Sequence, residues 1–310
     1  MTLVDELKID AEKVAEQAID FIKDKIKAFK RNGVIFGLSG GLDSSCIAGL
    51  CARAMDREKI LGLIMPERDS SPSSSEDAEK VAEVFDIKTL SIDLTPILEK
   101  FGLYELLPIP EGVLNHKVWA AITRGSYKIF PKSKSPFVGG LLGTKRSWLR
   151  QVETYYRIKH RIRMVNLYYY AERNNYLVIG TSNKTENMTG LFVKYGDGAA
   201  DIMPIASLYK TQVRALAEYL DVPKVVIEKK PSPDLIPGMT DELVLGLPYE
   251  KIDLILLGLD KGMNEYTIAK ELNIRRRAIE YVKKLNKLSS HMRMMPEELV
   301  LTDVGELVQV

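Results

Sequence analysis

The chain has 310 residues, of which 45% are apolar and 28% charged, the composition of an ordinary globular enzyme. Its 44 Lys and Arg against 42 Asp and Glu leave a net charge of +2, so no global field demands nucleic acid as a partner. No run of about 18 apolar residues is present to span a membrane, and an acidic start with Asp5, Glu6, Asp10 and Glu12 is unlike a signal peptide, so the expected location is cytoplasmic.

Leu7, Ala11, Val14, Ala18 and Ile22 recur at helical spacing and predict an amphipathic helix over residues 5–30. The apolar run from Val34 to Leu38 reads as a buried strand. It runs into Gly37, Leu38, Ser39, Gly40, Gly41, Leu42, Asp43, Ser44 and Ser45, and Ser44 to Met55 then reads as a helix packed on a sheet. Strand, glycine-serine turn and helix start form a geometry that binds phosphate, because free N–H groups and the positive helix end face an anion. A Walker A loop carries a lysine for the β/γ-phosphates. Asp43 stands here instead, and a carboxylate beside a polyphosphate implies an intervening Mg²⁺. Cys46 and Cys51, five apart on that helix, point to different faces and read as core residues rather than as a disulfide or metal pair.

Ile60 to Met65 reads as a second strand, residues 66–72 as a loop, and Ser74 or Ser75 as the cap of a helix reaching Phe85. Thr89 to Leu94 reads as a third strand. The alternation predicts an α/β fold with a doubly wound parallel sheet flanked by helices, with ligands bound beyond the carboxyl ends of the strands.

Residues 102–150 hold Pro108, Pro110, Pro131 and Pro136 with Gly125, Gly139, Gly140 and Gly143, which break any long element. From Lys128 to Arg163 there are ten Lys or Arg and one acid, Glu153. Three readings stand open: a solvated surface, a basic lid over a phosphate-rich ligand, or nucleic-acid contact with Trp148, Tyr155 and Tyr156 stacking on bases. A long helix is expected from Gln151 to Arg173, with Ile158, Ile162, Val165 and Tyr169 along one face, then a fourth strand from Tyr176 to Gly180. The polar loop 181–186 follows at that strand's carboxyl end, near the first loop by the topological rule. Glu186 is thus a candidate second Mg²⁺ ligand and Thr181 a phosphate or ribose contact. Residues 267–277 form a miniature helix-turn-helix pattern ending in Arg275, Arg276 and Arg277, which reads either as a DNA-binding module or as a helical extension of the catalytic domain.

The run from Ser39 to Ser44, S-G-G-x-D-S, resembles the loop of the PP-loop ATP pyrophosphatases, which cleave ATP between the α- and β-phosphates. Gly180 to Glu186, Phe192 to Asp201, Pro204-Ile205, Leu208 to Val213, Lys230 to Leu235 and Leu247 to Tyr249 are similar to the second half of NAD synthetase. The resemblance covers about residues 1–98 and 155–295. It implies an adenine nucleotide alpha hydrolase-like homodimer in which ATP adenylates the nicotinate carboxylate of deamido-NAD and ammonia displaces AMP. By matching position, residues 37–44 with Thr181, Lys210 and Ser232 would hold ATP, and Asp43 and Glu186 would bind Mg²⁺. Asp43, Glu186 and Lys210 would carry the catalysis. Arg161, Lys194, Asp201 and His291 would contact the dinucleotide.

Residues 1–245 are expected to form the catalytic domain, with a variable basic insertion at about 102–150, and 246–310 its helical extension. The chain begins about thirty residues before its first strand, so no glutaminase domain is expected; ammonia would come free or from a separate glutaminase. Neither nucleic acid nor membrane is an expected partner.

Three positions depart from the family pattern: Arg157 replaces Asn, His160 replaces Ala, and Met292 follows His291 in place of Lys. Arg157 lies one helical turn from Arg161, where both could reach one anion. The alternative function is a PP-loop paralogue that activates a different small-molecule carboxylate.

Overall fold

A computed structural model describes residues 2–107, 116–143 and 145–299. The expected segments 102–150 and 246–310 therefore fall partly outside the described residues, Pro108 and Pro110 among them. The N-terminal helical pattern is split in two, α1 (Leu3–Glu6) and α2 (Ala11–Ala28), because the Asp10 side chain accepts from the Lys13 N–H and starts a new helix.

The core is a four-stranded parallel sheet in the order β3 (Lys88–Ser91), β2 (Ile60–Ile64), β1 (Gly33–Gly37), β4 (Tyr176–Val178). The β-branched and aromatic run of β1 is buried and pairs on both edges, Val34 facing Ile60 on one side and Leu177 on the other. Strand β3 ends three residues earlier than expected, although Ile92 N still donates to Ile64 O and Leu94 N to Pro66 O.

Helices cover both faces of the sheet. On one lie α2, α3 (Leu42–Ala54) and α4 (Pro72–Phe85), where Ile22, Cys46, Leu50, Val81 and Phe85 form the main core. Both cysteines are free and buried there, as the spacing indicated. Helix α4 starts at Pro72 with Ser71 as its cap residue, earlier than the Ser74 or Ser75 start, because proline's fixed φ suits a first helical position. The opposite face is covered by α5 (Thr95–Lys100), α6 (Leu103–Leu106) and the long α9 (Ser147–Asn174).

The segment expected to be irregular contains α7 (His116–Ile129) and α8 (Pro136–Leu141). Its breakers have structural uses: Pro136 opens α8, and Gly139 and Gly140 let α8 lie against α9 (Ser147–Asn174). A Cβ on Gly139 would meet Leu149 at 2.7 Å, and one on Gly140 would meet Glu153 at 1.8 Å. Helix α9 has a different inner face from the expected one. Ile162 is buried as foreseen, but Val165 and Tyr169 are half exposed, while Tyr155 and even Lys159 are buried. Tyr155 is thus a core residue and not a base-stacking one.

After β4 come α10 (Lys184–Thr189), α11 (Lys210–Tyr219), α12 (Lys224–Glu228) and α13 (Asp241–Leu245). The chain then forms α14 (Tyr249–Asp260), α15 (Glu265–Leu272) and α16 (Arg276–Ser289). Ile252, Ile255, Ile268, Ile279, Val282 and Leu285 make a second core with Tyr209 of the cap preceding α11. Arg276, which a DNA-reading helix would free for phosphate, pairs with Glu265 at 2.9 Å, and Glu265 also takes Lys283 at 3.1 Å.

Candidate active site

The sheet order reverses between β1 and β4, so the loops after these two strands face each other at the switch point. After β1 the chain turns at Gly40, φ 69°, and comes so close to α4 that a Cβ would lie 2.3 Å from Ser74 O. Ser44 Oγ accepts from Ser39 N at 3.2 Å and donates to Gly41 O at 3.0 Å, which fixes the turn. Helix α3 then starts at Leu42 with Gly41 as its cap residue and no side-chain cap, leaving its first N–H groups for a ligand.

After β4, Asn183 caps α10: its Oδ1 accepts from Glu186 N at 3.0 Å, and Glu186 Oε2 accepts from Asn183 N at 3.4 Å. Asn183 Nδ2 also donates to Asp43 Oδ1 at 2.9 Å, tying one loop to the other. Lys210, the first residue of α11, donates to Asp43 Oδ2 and, at 2.9 Å, to Glu186 Oε1. The three charged residues named from the sequence thus meet at one point.

A second layer orients this group. Lys210 N donates to Thr185 Oγ1 at 3.0 Å, and Thr185 Oγ1 donates to Asp253 Oδ1 at 2.5 Å. Asp253 also accepts from Thr211 N and Oγ1, so one buried carboxylate of α14 joins α10 to α11. Tyr249 OH donates to Asp241 at 2.8 Å, and Asp241 adds a further buried acid close to Lys210.

The electrostatics are one-sided. Burial pushes the Glu186 carboxyl up to about 8, with Lys210 opposing and Asp43 and Asp241 adding to the rise. Burial also raises Asp241. Lys210 is driven the other way from what burial favours, upward, by Asp43, Glu186 and Asp241, and stays an ammonium. Three acids crowd one lysine, and the raised Glu186 and Asp241 carboxyls reflect burial and that crowding, which a bound cation would relieve. The described residues hold no group of three or more metal-ligating side chains. Two carboxylates without a third are a donor set suited to Mg²⁺, which keeps water and substrate phosphates in its other positions.

The site opens into a cavity of about 540 Å³. Residues 37–44, Thr181, Glu186, Lys210 and Ser232 all line it, so every residue expected to hold ATP faces one space. Ser232 Oγ is engaged with its own loop, donating to Met239 O at 2.7 Å. The four expected dinucleotide contacts lie outside this cavity's lining. Arg161 donates to Lys194 O at 3.4 Å and Lys194 Nζ reaches His291 O at 3.5 Å, a chain of three on the outer surface. Asp201 accepts from Val178 N at 2.9 Å and from Tyr168 OH at 3.3 Å, holding its loop to β4.

Of the departing positions, His160 lines the cavity with Nδ1 3.7 Å from Asp197, and burial lowers its pKa so that it is neutral. Arg157 turns to Glu153 at 3.7 Å rather than converging with Arg161. Met292 packs at the edge of the second core.

Sequence reasoning missed Asn183, Asp241, Tyr249 and Asp253. Asn183 had a readable signal, since Asn-x-x-Glu ending at Glu186 is a capping box. The others are placed by contacts distant in sequence.

The family model described as NAD synthase matches residues 14–111 and 151–296. The stretch between the two matched parts falls within the expected insertion. An NH(3)-dependent NAD(+) synthetase of Thermotoga maritima is 41% identical over 285 residues, 90% of this chain and 96% of that one. A solved NMN synthetase from Francisella tularensis superposes with a TM-score of 0.69 at 27% identity, over 95% of this chain and 100% of that chain. The NH3-dependent NAD synthetase of Campylobacter jejuni, solved with a nitrate ion, gives 0.68 at 28% identity, over 94% and 100%.

Proposed function

The chain belongs to the NAD synthase family, and from that premise we propose that it is an ammonia-dependent NAD synthetase converting deamido-NAD to NAD. A carboxylate oxygen of nicotinate attacks the α-phosphorus of ATP and pyrophosphate leaves. Ammonia then attacks the acyl carbon, AMP leaves with the attacking oxygen, and one proton is released from nitrogen. The Asp43–Lys210–Glu186 group at the mouth of the phosphate-binding turn carries this reading.

Each residue has a role that its geometry supports. The backbone of residues 38–44 and the open N-terminus of α3 cradle the triphosphate. Lys210 keeps its proton at Nζ and places a fixed positive charge beside the departing pyrophosphate. Asp43 and Glu186 would hold Mg²⁺, which when bound neutralises charge on the triphosphate. Asn183 and Asp253 keep these side chains in place, and the apolar walls around Leu38, Met65 and Phe137 exclude water from the activated carboxyl. A homodimer is part of this reading through the family resemblance. Ammonia enters free or from a separate glutaminase in this reading.

The test is pyrophosphate release with ATP, Mg²⁺ and ammonium. Deamido-NAD is compared with its mononucleotide analogue and a panel of other carboxylates. Stimulation by deamido-NAD above all others, with glutamine unable to replace ammonium, is the expected result. Stimulation by a different acid alone makes the chain a paralogue. If deamido-NAD is used, Arg157→Asn should change its KM more than that of ATP.

A further inference from the structure

A second buried lysine lies outside the catalytic group. Lys159 of α9 has no solvent exposure, and its ammonium makes three hydrogen bonds: to Glu67 Oε1 at 2.9 Å, to Asp69 Oδ2 at 2.8 Å and to Leu235 O at 3.0 Å. Its donors are therefore fully used. Glu67 and Asp69 lie just past the carboxyl end of β2, so Lys159 joins two segments that lie 76 and 90–92 residues from it in sequence.

The carboxylates are satisfied on their other sides. Tyr104 OH donates to Glu67 Oε2 at 2.9 Å, Tyr155 OH donates to Asp69, and Arg68 pairs with Asp69 at 3.1 Å. Two acids thus face two bases, and the cluster is neutral within itself. Burial would raise the Asp69 carboxyl, but Lys159, Tyr155 and Arg68 hold it below the usual range.

Such a cluster is an expensive way to stabilise a core, since each buried ion costs several kcal/mol of desolvation and apolar side chains would pack as well. Its distinctive product is geometric. Leu235 belongs to the irregular stretch 231–240, and every residue of that stretch lines the cavity. Two other ties are nearby: Asp234, next to Leu235, accepts from Ser71 N at 3.1 Å, and Lys229, before the stretch, pairs with Asp77 at 2.8 Å. Among the described residues, the Lys159 bond is the one that reaches this stretch from a fully buried charge.

We propose that Lys159 is a positioning residue: through the Leu235 carbonyl it fixes the 231–240 segment as the wall of the nucleotide cavity, and so sets the affinity for ATP. The inference rests on the reading that this cavity takes ATP. It assigns the Glu67–Asp69–Lys159 cluster to binding and leaves the chemical step to the Asp43–Lys210–Glu186 group.

Two variants test it. Lys159→Met alone removes the tie but strands two buried carboxylates. The triple variant Glu67→Gln, Asp69→Asn, Lys159→Met removes the tie and leaves, of the four charges, only that of Arg68, which is partly exposed. Binding of Mg²⁺ with a non-hydrolysable ATP analogue is measured by calorimetry, alongside amide hydrogen exchange and steady-state kinetics. The triple variant should bind the analogue about ten-fold more weakly, with kcat changed less than about three-fold. Amides of residues 231–240 should exchange about ten-fold faster while β1 and β2 stay protected. Wild-type affinity and wild-type exchange in a folded variant would overturn the proposal. So would failure of both variants to fold, since the cluster would then be only a scaffold. Absence of analogue binding to the wild-type protein would instead refute the assignment of the cavity to ATP.

Discussion

Lys210 and Lys159 each sit between two carboxylates, and the two groups have opposite characters. Around Lys210 the acids outnumber the base: Asp43 and Glu186 hold it directly, Asp241 lies close, and both direct partners remain 16% exposed toward the cavity. Around Lys159, Arg68 completes a balance of charge, two tyrosines donate to the carboxylates, and the lysine and its two direct partners are at most 5% exposed. The first group crowds three acids beside a cavity, where a cation would relieve them. The second is complete as it stands. A lysine between acids is therefore not a signature of function; the charge left over and the access to solvent are what separate a site from a strut.

Substitutions sharpen or break this contrast. The largest effect is expected for Asp43→Asn, which should lower kcat by about 10²–10³-fold with little change in thermal midpoint, measured by pyrophosphate release and calorimetry. An active Asp43→Asn enzyme would remove the functional half of the contrast. Next come the lysines themselves, compared by chemical denaturation. Lys159→Met should cost about 3–5 kcal/mol, because it leaves uncompensated charge in a closed interior. Lys210→Met should cost about 1–2 kcal/mol, since its partners can draw on water, while abolishing turnover. Equal costs would break the contrast.

The smallest effects are in acid. The folded Asp69 carboxyl is held below its ordinary value of 3.8, so it binds fewer protons than in the unfolded chain. Its stabilisation is complete above pH 3.8 and is lost as pH falls through the folded value. His160 is also lowered, from 6.5, by burial, so the unfolded chain takes up its proton first and stability declines as pH drops below 6.5. Denaturation between pH 7 and 2.5 should show both losses, with His160→Ala removing the earlier and Asp69→Asn flattening the later. A profile unchanged by either substitution would contradict these environments.

The phosphate-loop geometry was legible because its signals are local. Gly40 with positive φ, a buried strand before it and Asp43 at a helix start lie within ten residues, and Glu186 follows the neighbouring strand. The parallel sheet followed from alternation alone. Lys159 was illegible for the converse reason. In a run of ten basic residues its charge suggests a solvated face, and the acids that bury it come from residues 67 and 69. The same blindness placed Val165 and Tyr169 inside α9, since periodicity cannot weigh a paired lysine as core. Glycines 139 and 140 looked like breakers but serve a close helix contact, which only tertiary packing reveals.

The central claim is that this site joins AMP to the nicotinate carboxylate before ammonia enters, and isotope transfer tests it most directly. Deamido-NAD labelled with oxygen-18 in its carboxylate is turned over with ATP, Mg²⁺ and ammonium, and the products are analysed by mass spectrometry. The account predicts one labelled oxygen in AMP for each NAD formed, with none in pyrophosphate. Formation of NAD with unlabelled AMP, or release of ADP and labelled orthophosphate, would contradict it.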